Sequence, residues 1–530
     1  MKRSEIAERI ADPFPRHRFD PGDGRALDGI IASPVAEHLA FVGVSVWDGR
    51  SGTLQPDRCV IIRNGLISQI VDASDPLPSN VTVINAFGLT LIPGLIDAHV
   101  HLMFDSGPDL LTRGPHLMRE WLDLTRTYPQ SREPIVRRAQ LKLKSGVTTM
   151  RVLGDGYYSL ALRDDVAAWD VVGPRILTAG LHVNGPAGYV TGSLASRLGP
   201  NEQAECALEL RSLDEIEKRL SAHIARGVDV IKIATTHGDM GFADAKPDLP
   251  EEWVREIVRV SHERGLKVTA HSYGNEGDWA AIRGGVDGIE HLVNVPHELP
   301  DEMIEAIAAR GIWVTPTLSG SAYSVMTLLR DPALLYREGD LVTNVDARVR
   351  RNLYRVLRLL RVPRVARLLM RHPDPLGKLE TWYEHSLGNT KKLHDAGVNL
   401  AFGTDAPFAF GNFYHSVMNE ARALRSSGIP EEAILRMATI GSATALGISD
   451  HVGTLQPGMK ADCVLLDGDP LADIEALSAV CLVVKEGRIV YQNDSAPADR
   501  RPPDACSSVV PGTRLLKTSS CREYPAPPPR

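Results

Sequence analysis

The fold is constrained most by a series of short apolar segments, each of which carries or ends in a side chain that can bind a metal ion. The first segment covers residues 91–102 and ends in His99 and His101, which an extended strand would point to the same face. The whole set of such side chains is His99, His101, Lys232, His271, His291 and Asp405. Parallel strands that share one rim at their carboxyl ends would bring these side chains together.

The middle of the chain alternates strand and helix patterns. The strand candidates are 91–102, 146–153, 175–181, 229–234, 267–272, 288–292, 312–318 and 399–405. Together they predict an α/β fold, a (β/α)8 TIM-like barrel over residues 91–445. The connection between the last two strands is too long for one helix, so we expect a helical insertion at about 319–385.

Both ends of the chain are rich in short β-like runs. Asn64-Gly65 and Glu486-Gly487 lie between such runs and indicate tight hairpin turns. We therefore predict a small β-sandwich domain built from residues 37–90 together with 446–495. Residues 1–36 form a polar N-terminal extension, and residues 496–530 form a Pro-rich tail that we expect to be irregular or disordered.

The insertion contains an unusual basic stretch. Residues 348–371 include nine arginines and no acidic residue, with leucine and valine at helical spacing, which predicts two amphipathic helices that meet at Pro363. Three hypotheses fit this pattern. The helices form a solvated or subunit-packing face, they form a lid whose arginines attract an anionic substrate, or they bind a membrane surface.

Bulk properties exclude several classes of protein. A net charge of −7 gives no basic footprint, so nucleic acid is not expected as a partner. The six cysteines are scattered, which favours neither a disulfide framework nor a zinc ribbon and fits a reducing cytoplasm. We find no signal peptide and no run that could cross a bilayer, and we predict a cytoplasmic enzyme with a small-molecule substrate.

Four imidazoles and one carboxylate suit Zn²⁺, with Mn²⁺ or Co²⁺ as alternatives. Lys232 is the unusual member, because a buried ammonium repels a cation. Reaction of its amine with CO2 would give a carbamate that can bridge two divalent ions; the alternative is a buried lysine paired with an acid. The carboxylate in this set, Asp405, could bind a metal ion, or it could merely cap the following loop. Candidate substrate contacts are His182, Tyr189, His237 and Tyr273.

These motifs resemble the amidohydrolase superfamily over about residues 40–490. The motifs that carry the resemblance are Pro93-Gly-Leu-Ile-Asp-Ala-His-Val-His101, Gly146-Val-Thr-Thr149, Gly173-Pro-Arg-Ile176, Ile231-Lys-Ile233, Thr269-Ala-His271, Ile289-Glu-His291, Phe402-Gly-Thr-Asp405 and the run from Gly453 to Asp462. Within the superfamily the chain is similar to the imidazolonepropionase-like branch, which contains binuclear Xaa-Pro dipeptidases and ochratoxin-hydrolysing amidases.

The resemblance implies a role for each residue in a metal-dependent hydrolase that cleaves an amide or peptide-like C–N bond. His99 and His101 would hold the more buried metal beside Asp405, and His271 and His291 would hold the second. Carboxylated Lys232 and a hydroxide would bridge the two metals. Asp405 would accept the hydroxide proton and pass it to the leaving nitrogen. The resemblance also implies a homo-oligomer.

Other functions stay open on sequence grounds. Leu181–Val190 replaces a common Gly-Gly-His element of the family, and Ala234–Asp239 replaces a glycine-rich loop, so the substrate side differs. The alternatives are a carbamate or phenylurea hydrolase on the same site and a mononuclear deaminase or cyclic-amide hydrolase with unmodified Lys232. A non-catalytic scaffold that binds partners through the insertion is the third alternative.

Overall fold

The computed structural model describes residues 29–31, 38–103, 126–127, 132–237, 246–273, 275–334, 347–370, 373–407 and 415–493. The predicted Pro-rich tail at 496–530 lies outside the described residues. Of the predicted N-terminal extension, only 29–31 are described, and Ile30 forms an antiparallel bridge with Tyr491.

Strands dominate both ends of the described chain and alternate with helices in the middle. The strands are β1 (His38–Val46), β2 (Gln55–Arg63), β3 (Leu66–Asp72), β4 (Thr82–Asn85), β5 (Thr90–Pro93), β6 (Leu95–Val100), β7 (Val147–Val152), β8 (Arg175–Thr178), β9 (His182–Asn184), β10 (Ala207–Glu209), β11 (Ile231–Ala234), β12 (Thr236–His237), β13 (Lys246–Pro247), β14 (Val268–His271), β15 (Gly288–Glu290), β16 (Trp313–Thr315), β17 (Cys463–Leu466), β18 (Val480–Lys485) and β19 (Arg488–Gln492). The helices are α1 (Glu133–Lys144), α2 (Tyr158–Ala167), α3 (Pro200–Cys206), α4 (Ile216–Ile224), α5 (Glu251–His262), α6 (Asn275–Gly284), α7 (Asp301–Arg310), α8 (Ala322–Arg330), α9 (Ala347–Leu360), α10 (Pro363–Met370), α11 (Pro375–Asp395), α12 (Ser416–Ser426), α13 (Glu431–Arg436) and α14 (Ser442–Leu446).

The strands from the two ends of the chain form one sheet in the order β19-β18-β17-β5-β1-β2-β3, with β4 paired to β1. Both predicted hairpin turns are present, because Asn64, Gly65, Glu486 and Gly487 all have positive φ, as a two-residue turn of this type requires. β5 and β17 pair antiparallel and join the two ends directly. The prediction that both ends build one β unit agrees with this sheet, and the sandwich arrangement stays a prediction.

Parallel strands make up the middle of the chain. One sheet has the order β10-β9-β11-β14-β15-β16, and another has the order β6-β7-β8. The predicted third strand is divided at Gly180, which has φ 62°. As a result β8 pairs with β7, whereas β9 pairs with β11. With helices between the strands, this is a TIM-barrel-like α/β arrangement.

The predicted eighth strand, 399–405, is an irregular segment rather than a regular strand. It makes parallel bridges on both sides, from Leu400 to Val314 of β16 and from Ala406 to Val100 of β6. Its irregularity has a steric cause at Gly403, where a Cβ would lie 2.4 Å from Thr315 and 2.9 Å from His99. At Gly403 the chain passes so close to Thr315 and His99 that a residue with a side chain would not fit there.

The main core lies between the parallel strands and the surrounding helices. Its strand residues include Ile231, Ile233, Val268, Ile289 and Val314, all buried. These strands are short apolar runs because both of their faces are covered, as is usual for parallel sheets. The carboxyl ends of the strands are left to carry polar side chains.

The insertion contains the two predicted helices, α9 and α10, which meet at Pro363. Leu357 and Ala366 are buried, whereas Leu359 and Leu368 are 47% and 49% exposed. The three hypotheses for this surface all stay predictions. Among the described residues, none of the helices combines the length and apolar character that a bilayer crossing requires.

Candidate metal centre

His99 and His101 lie at the carboxyl end of β6 and point their rings toward the same point. Their Nε2 atoms are 3.3 Å apart. The Nδ1 atom of His99 lies 2.8 Å from Oε2 of Glu290, and the Nδ1 atom of His101 lies 2.7 Å from Oδ1 of Asp155. If each ring donates its Nδ1–H to the neighbouring carboxylate, then in the neutral form of both rings the two Nε2 lone pairs face each other. Two lone pairs at this distance repel unless a cation lies between them.

The electrostatics at His101 also favour positive charge. Burial opposes protonation of His101, but its interactions with Asp155 and Asp405 outweigh burial and raise its pKa to about 9. Burial lowers the pKa of His99 well below its ordinary value, with Lys232 adding to the shift. His99 is therefore neutral, whereas the surroundings of His101 stabilise positive charge beside its ring.

Asp405 joins this pair from the irregular segment after α11. Its Oδ1 atom lies 3.5 Å from Nε2 of His99 and 3.4 Å from Nε2 of His101. One potential ligand atom each from His99, His291 and Asp405 lie within 4.8 Å of one another. The Nδ1 atom of His291 is in turn 2.7 Å from the hydroxyl of Thr317. Burial raises the pKa of Asp405, against the opposing effect of His101.

His271 ends β14 and completes the group of four imidazoles. Its ring centroid is 4.9 Å from that of His291. Tyr189 stacks on His271 at 3.9 Å, Tyr273 contacts it edge-on at 4.7 Å, and His182 lies 6.1 Å away. Nε2 of His271 is buried and has no hydrogen-bond partner among the described residues. This nitrogen is available as a ligand.

Lys232 lies in the middle of β11 and is 1% exposed. Its Nζ atom has no hydrogen-bond partner among the residues that the structure describes. Burial lowers the pKa of this amine to about 8, although Glu290 opposes the shift. The acid partner that would make Lys232 an ordinary buried ion pair is therefore not found in the described part of the chain.

All six predicted metal ligands line one cavity that opens to solvent. The lining residues are His99, His101, Met103, Gly154, His182, Tyr189, Val190, Leu194, Cys206, Lys232, His271, His291 and Asp405. Of the four predicted substrate contacts, His182 and Tyr189 line the cavity, and Tyr273 contacts it through His271. His237 belongs to β12, which pairs with β13, and it is outside this lining.

Sequence reasoning missed the residues that hold the ligands in place. Glu290 also accepts hydrogen bonds from Arg151 and Thr269, so three strands share one buried carboxylate. Asp155 accepts from two backbone N–H groups and from Tyr158. A usable signal existed for both acids. Glu290 directly precedes a predicted ligand, and Asp155 follows the carboxyl end of a predicted strand.

Lys142 of α1 organises a second buried group of polar side chains. Its Nζ atom donates to Asp97 at 2.7 Å, Thr404 at 2.8 Å and Ser416 at 2.6 Å. Asp97 precedes the first ligand on β6 by two residues, and Thr404 directly precedes Asp405. The network therefore fastens together the two segments whose side chains converge on the cavity. No local pattern in the sequence indicates this network.

The residues at this centre fit divalent metal ions. The converging Nε2 atoms of His99 and His101 supply nitrogen ligands, and Asp405 supplies an anionic oxygen beside them. The histidines are oriented through hydrogen bonds from their second ring nitrogen, as is usual for metal-binding imidazoles. Nitrogen and carboxylate donors together suit Zn²⁺ and similar borderline ions.

Comparison with known proteins decides the family. The model of the amidohydrolase family matches residues 90–490, which is most of the chain. The chain belongs to the amidohydrolase family. This amidohydrolase is 24% identical over 421 residues to ochratoxinase from Aspergillus niger, an alignment that covers 75% of this chain and 75% of the relative.

Two solved structures show the same fold. A Xaa-Pro dipeptidase matches with a TM-score of 0.64 and 23% identity, covering 86% of this chain and 100% of the dipeptidase. Phenylurea hydrolase B matches with a TM-score of 0.65 and 22% identity, covering 86% of this chain and 96% of the hydrolase. The predicted superfamily is thus confirmed. So is the prediction of a hydrolase that acts on C–N bonds, at the level of the family.

Proposed function

We propose that this amidohydrolase is a binuclear metal-dependent enzyme that hydrolyses a C–N bond next to a carbonyl group, in an amide, carbamate or urea. The observation that carries the proposal is the convergence of two imidazole Nε2 atoms, 3.3 Å apart, with the carboxylate of Asp405. A centre rich in imidazole nitrogens, with one carboxylate and an opening to solvent, is suited to hold cations next to a small substrate.

Two sets of ligands are proposed. His99 and His101, with Asp405, would hold one divalent ion, and His271 and His291 would hold the second; Zn²⁺ fits these donors best. Lys232 would lie between them as a carbamate. Its amine nitrogen would form a bond to the carbon of CO2 and release a proton to solvent, which converts a buried base into an anion. The lack of a partner for its Nζ atom among the described residues supports this assignment.

When bound, such a metal pair acidifies water and polarises a carbonyl group. Asp405 is proposed as the group that takes up the proton released in the attack and delivers it to the leaving nitrogen. Burial raises its pKa, which brings the carboxyl group closer to the range in which it can both accept and donate a proton. Its backbone N–H donates to the carbonyl of His99 at 2.8 Å, which fixes the carboxylate beside the imidazoles.

We also propose a closed eight-stranded barrel over 91–445 and a composite β domain from 37–90 and 446–495. Support for closure comes from the irregular segment at 399–406, which hydrogen-bonds to both β16 and β6. At the other gap, the N–H of Asp229 donates to the carbonyl of Thr178 at 2.8 Å, which links β8 to the start of β11.

The test combines metal counting with a substrate screen. The metal-loaded protein should bind close to two ions per chain and hydrolyse at least one member of a panel of N-acyl amino acids, aryl amides, carbamates and phenylureas. Asp405→Asn should lose about 10²–10⁴-fold in kcat. One ion per chain, with an unmodified Lys232, would instead support the mononuclear deaminase or cyclic-amide hydrolase. A metal-loaded protein that cleaves nothing in the panel would contradict the proposed reaction.

A further inference from the structure

One wall of the cavity is chemically different from the metal centre. It is formed by Tyr189, Val190, Leu194 and Cys206, which come from a π-helical turn at Tyr189–Leu194 and from the end of α3. Apart from the six proposed ligands, the described residues that line the cavity include no Asp, Glu, Lys or Arg. His182 also lines the cavity, and neither of its ring nitrogens has a hydrogen-bond partner among the described residues.

Asp248 fixes the position of this wall through hydrogen bonds to its backbone. The carboxylate of Asp248 accepts hydrogen bonds from the backbone N–H of Gly185 at 2.6 Å and from that of Tyr189 at 2.7 Å. Both oxygens are used, one for each end of the turn. The chain from 185 to 189 is therefore wrapped around one half-buried carboxylate, and this fixes the backbone position from which the tyrosine ring extends.

Glycine is required for this wrapping. A Cβ on Gly188 would lie 2.3 Å from both carboxylate oxygens of Asp248, and a Cβ on Gly185 would lie 2.8 Å from the nearer one. Glu209 adds a second support, accepting from the hydroxyl of Thr191 at 2.7 Å and from the N–H of Ala187 at 3.2 Å. Two carboxylates thus hold a wall that itself presents apolar atoms to the cavity.

We propose, on the basis of the proposed function, that Tyr189, Val190, Leu194 and Cys206 form a subsite for an uncharged aromatic or branched aliphatic group next to the scissile C–N bond, and that Asp248 is the positioning residue of this wall. A carboxylate or ammonium placed against these four side chains would lose its hydration without gaining an ionic partner from the described lining outside the proposed ligands, which is costly. An apolar group would instead bury its surface against the wall. The substrate class is therefore an amide, carbamate or urea with an apolar flanking group.

The test compares two anilides with the same leaving group. N-phenylacetyl-4-nitroaniline carries an apolar acyl group, whereas N-succinyl-4-nitroaniline carries a carboxylate at a similar distance. The wild type should prefer the first. Leu194→Arg should lower the ratio of their kcat/KM values by about tenfold or more, because a cation now lies in the wall. The matched control is Leu213→Arg. Leu213 is 37% exposed, lies in the turn just before α4 and is outside the cavity lining, so this change should leave the ratio unchanged.

Asp248→Asn tests the positioning role. The amide keeps one acceptor oxygen, so one of the two backbone hydrogen bonds is lost, and KM for the phenylacetyl anilide should rise by a larger factor than kcat falls. Glu305→Gln, an exposed change on α7, is its control. Equal ratios in the wild type and Leu194→Arg, or a preference of the wild type for the succinyl anilide, would overturn the subsite.

Failure of the subsite and failure of the proposed function can be told apart by binding. In metal-loaded Asp405→Asn protein, calorimetric titration with the two anilides reports binding without turnover. Tighter binding of the phenylacetyl anilide, weakened by Leu194→Arg, supports the subsite even if the wild type hydrolyses neither compound. Equal binding of the two anilides contradicts it even if hydrolysis is observed.

Discussion

Two buried lysines of this amidohydrolase lie in opposite environments. Lys142 on α1 is 0% exposed and donates hydrogen bonds to three side chains, one of them the carboxylate of Asp97. Lys232 on β11 is 1% exposed, and its Nζ atom has no partner among the described residues. Both side chains originate within the same barrel-like core, so burial alone does not distinguish them.

The difference supports a structural role for Lys142 and the proposed chemical role for Lys232. A buried ammonium costs several kcal/mol unless it is paired, and Lys142 meets this requirement with a complete set of acceptors. Lys232 instead faces imidazoles, and burial lowers its pKa to about 8, which raises the fraction of neutral, nucleophilic amine. An amine in that state can react with CO2, whereas a fully paired ammonium cannot. The following predictions test this contrast.

The largest effect is expected for Lys232→Met. Losing the proposed bridge should remove several kcal/mol of transition-state stabilisation, which corresponds to a fall in kcat/KM of about 10³-fold or more. Metal content should drop below two ions per chain. A carbamate carbonyl signal from ¹³C-bicarbonate should also disappear from the NMR spectrum. Because an unpaired buried amine is removed, the melting temperature of the metal-free variant should be equal to or above that of the wild type.

Lys392→Met is the control for labelling, because Lys392 is 39% exposed and pairs with Glu298 at the surface. It should keep both the carbamate signal and the metal content. If Lys232→Met kept two ions and the labelled signal, the bridging role would be wrong, and the two buried lysines would not differ in the way proposed here.

Lys142→Met should act in the reverse manner, with its main effect on stability. Removing the ammonium leaves Asp97 buried without its cation, and breaking a buried pair in this way costs about 3–5 kcal/mol. Denaturant unfolding monitored by circular dichroism measures the loss. The double variant Lys142→Met with Asp97→Asn should lose less than the sum of the single changes, because the two side chains are coupled. Additive losses, or an unchanged stability of Lys142→Met, would contradict the pairing.

The same contrast explains what the sequence could reveal. Lys232 was predictable, because a lone lysine inside the apolar run 229–234 has no ordinary reason to be there. Lys142 was not, because lysines are common on helices and this one is followed by Lys144 in the same turn. Its acceptors Thr404 and Ser416 are 262 and 274 residues away, and nothing local indicates such contacts.

The strands show the same division between local and distant causes. Strand positions that depend on apolar runs were predicted from the sequence, and the six proposed ligands were found because each lies on or at the end of such a run. At Gly180, where the third strand breaks, and at Gly403 in the irregular segment 399–406, the chain packs closely against residues that are distant in the sequence. Gly403, for example, is packed against Thr315 and His99, a constraint that appears only when the chain is folded.

A smaller effect is expected at Glu420, which lies on α12 four residues after a partner of Lys142. It is fully buried and accepts hydrogen bonds from the N–H groups of Leu318 and Ser319. Burial raises the pKa of Glu420 to about 8, against the lowering effect of these bonds. Its stabilising contribution is therefore complete below the pKa of the unfolded chain and is lost as the pH rises toward about 8.

Glu420→Gln removes this titration. Relative to the wild type, the variant should gain about 2–3 kcal/mol between about pH 5.5 and about pH 7.5, because in this range the wild type releases a proton on unfolding and the variant does not. The amide also changes the hydrogen bonds to 318 and 319, but that effect is the same at every pH. Unfolding free energies at several pH values decide the matter; parallel curves for the two proteins would show that the pKa of Glu420 is not raised in the folded protein.

The smallest effect should come from basic side chains that share the charge of Lys142 but not its burial. Arg355 and Arg361 of the insertion are exposed, so water solvates their guanidinium groups in the folded and unfolded states alike. Arg355→Gln and Arg361→Gln should each change the free energy of unfolding by no more than about 0.5 kcal/mol, the usual range for exposed substitutions. Leu357→Ala on the same helix, where the side chain is 2% exposed, is the positive control and should destabilise the protein measurably. A large loss of unfolding free energy in either arginine variant would show that this charged surface is packed against another molecule in solution. These arginines would then be neither buried and paired like Lys142 nor freely exposed.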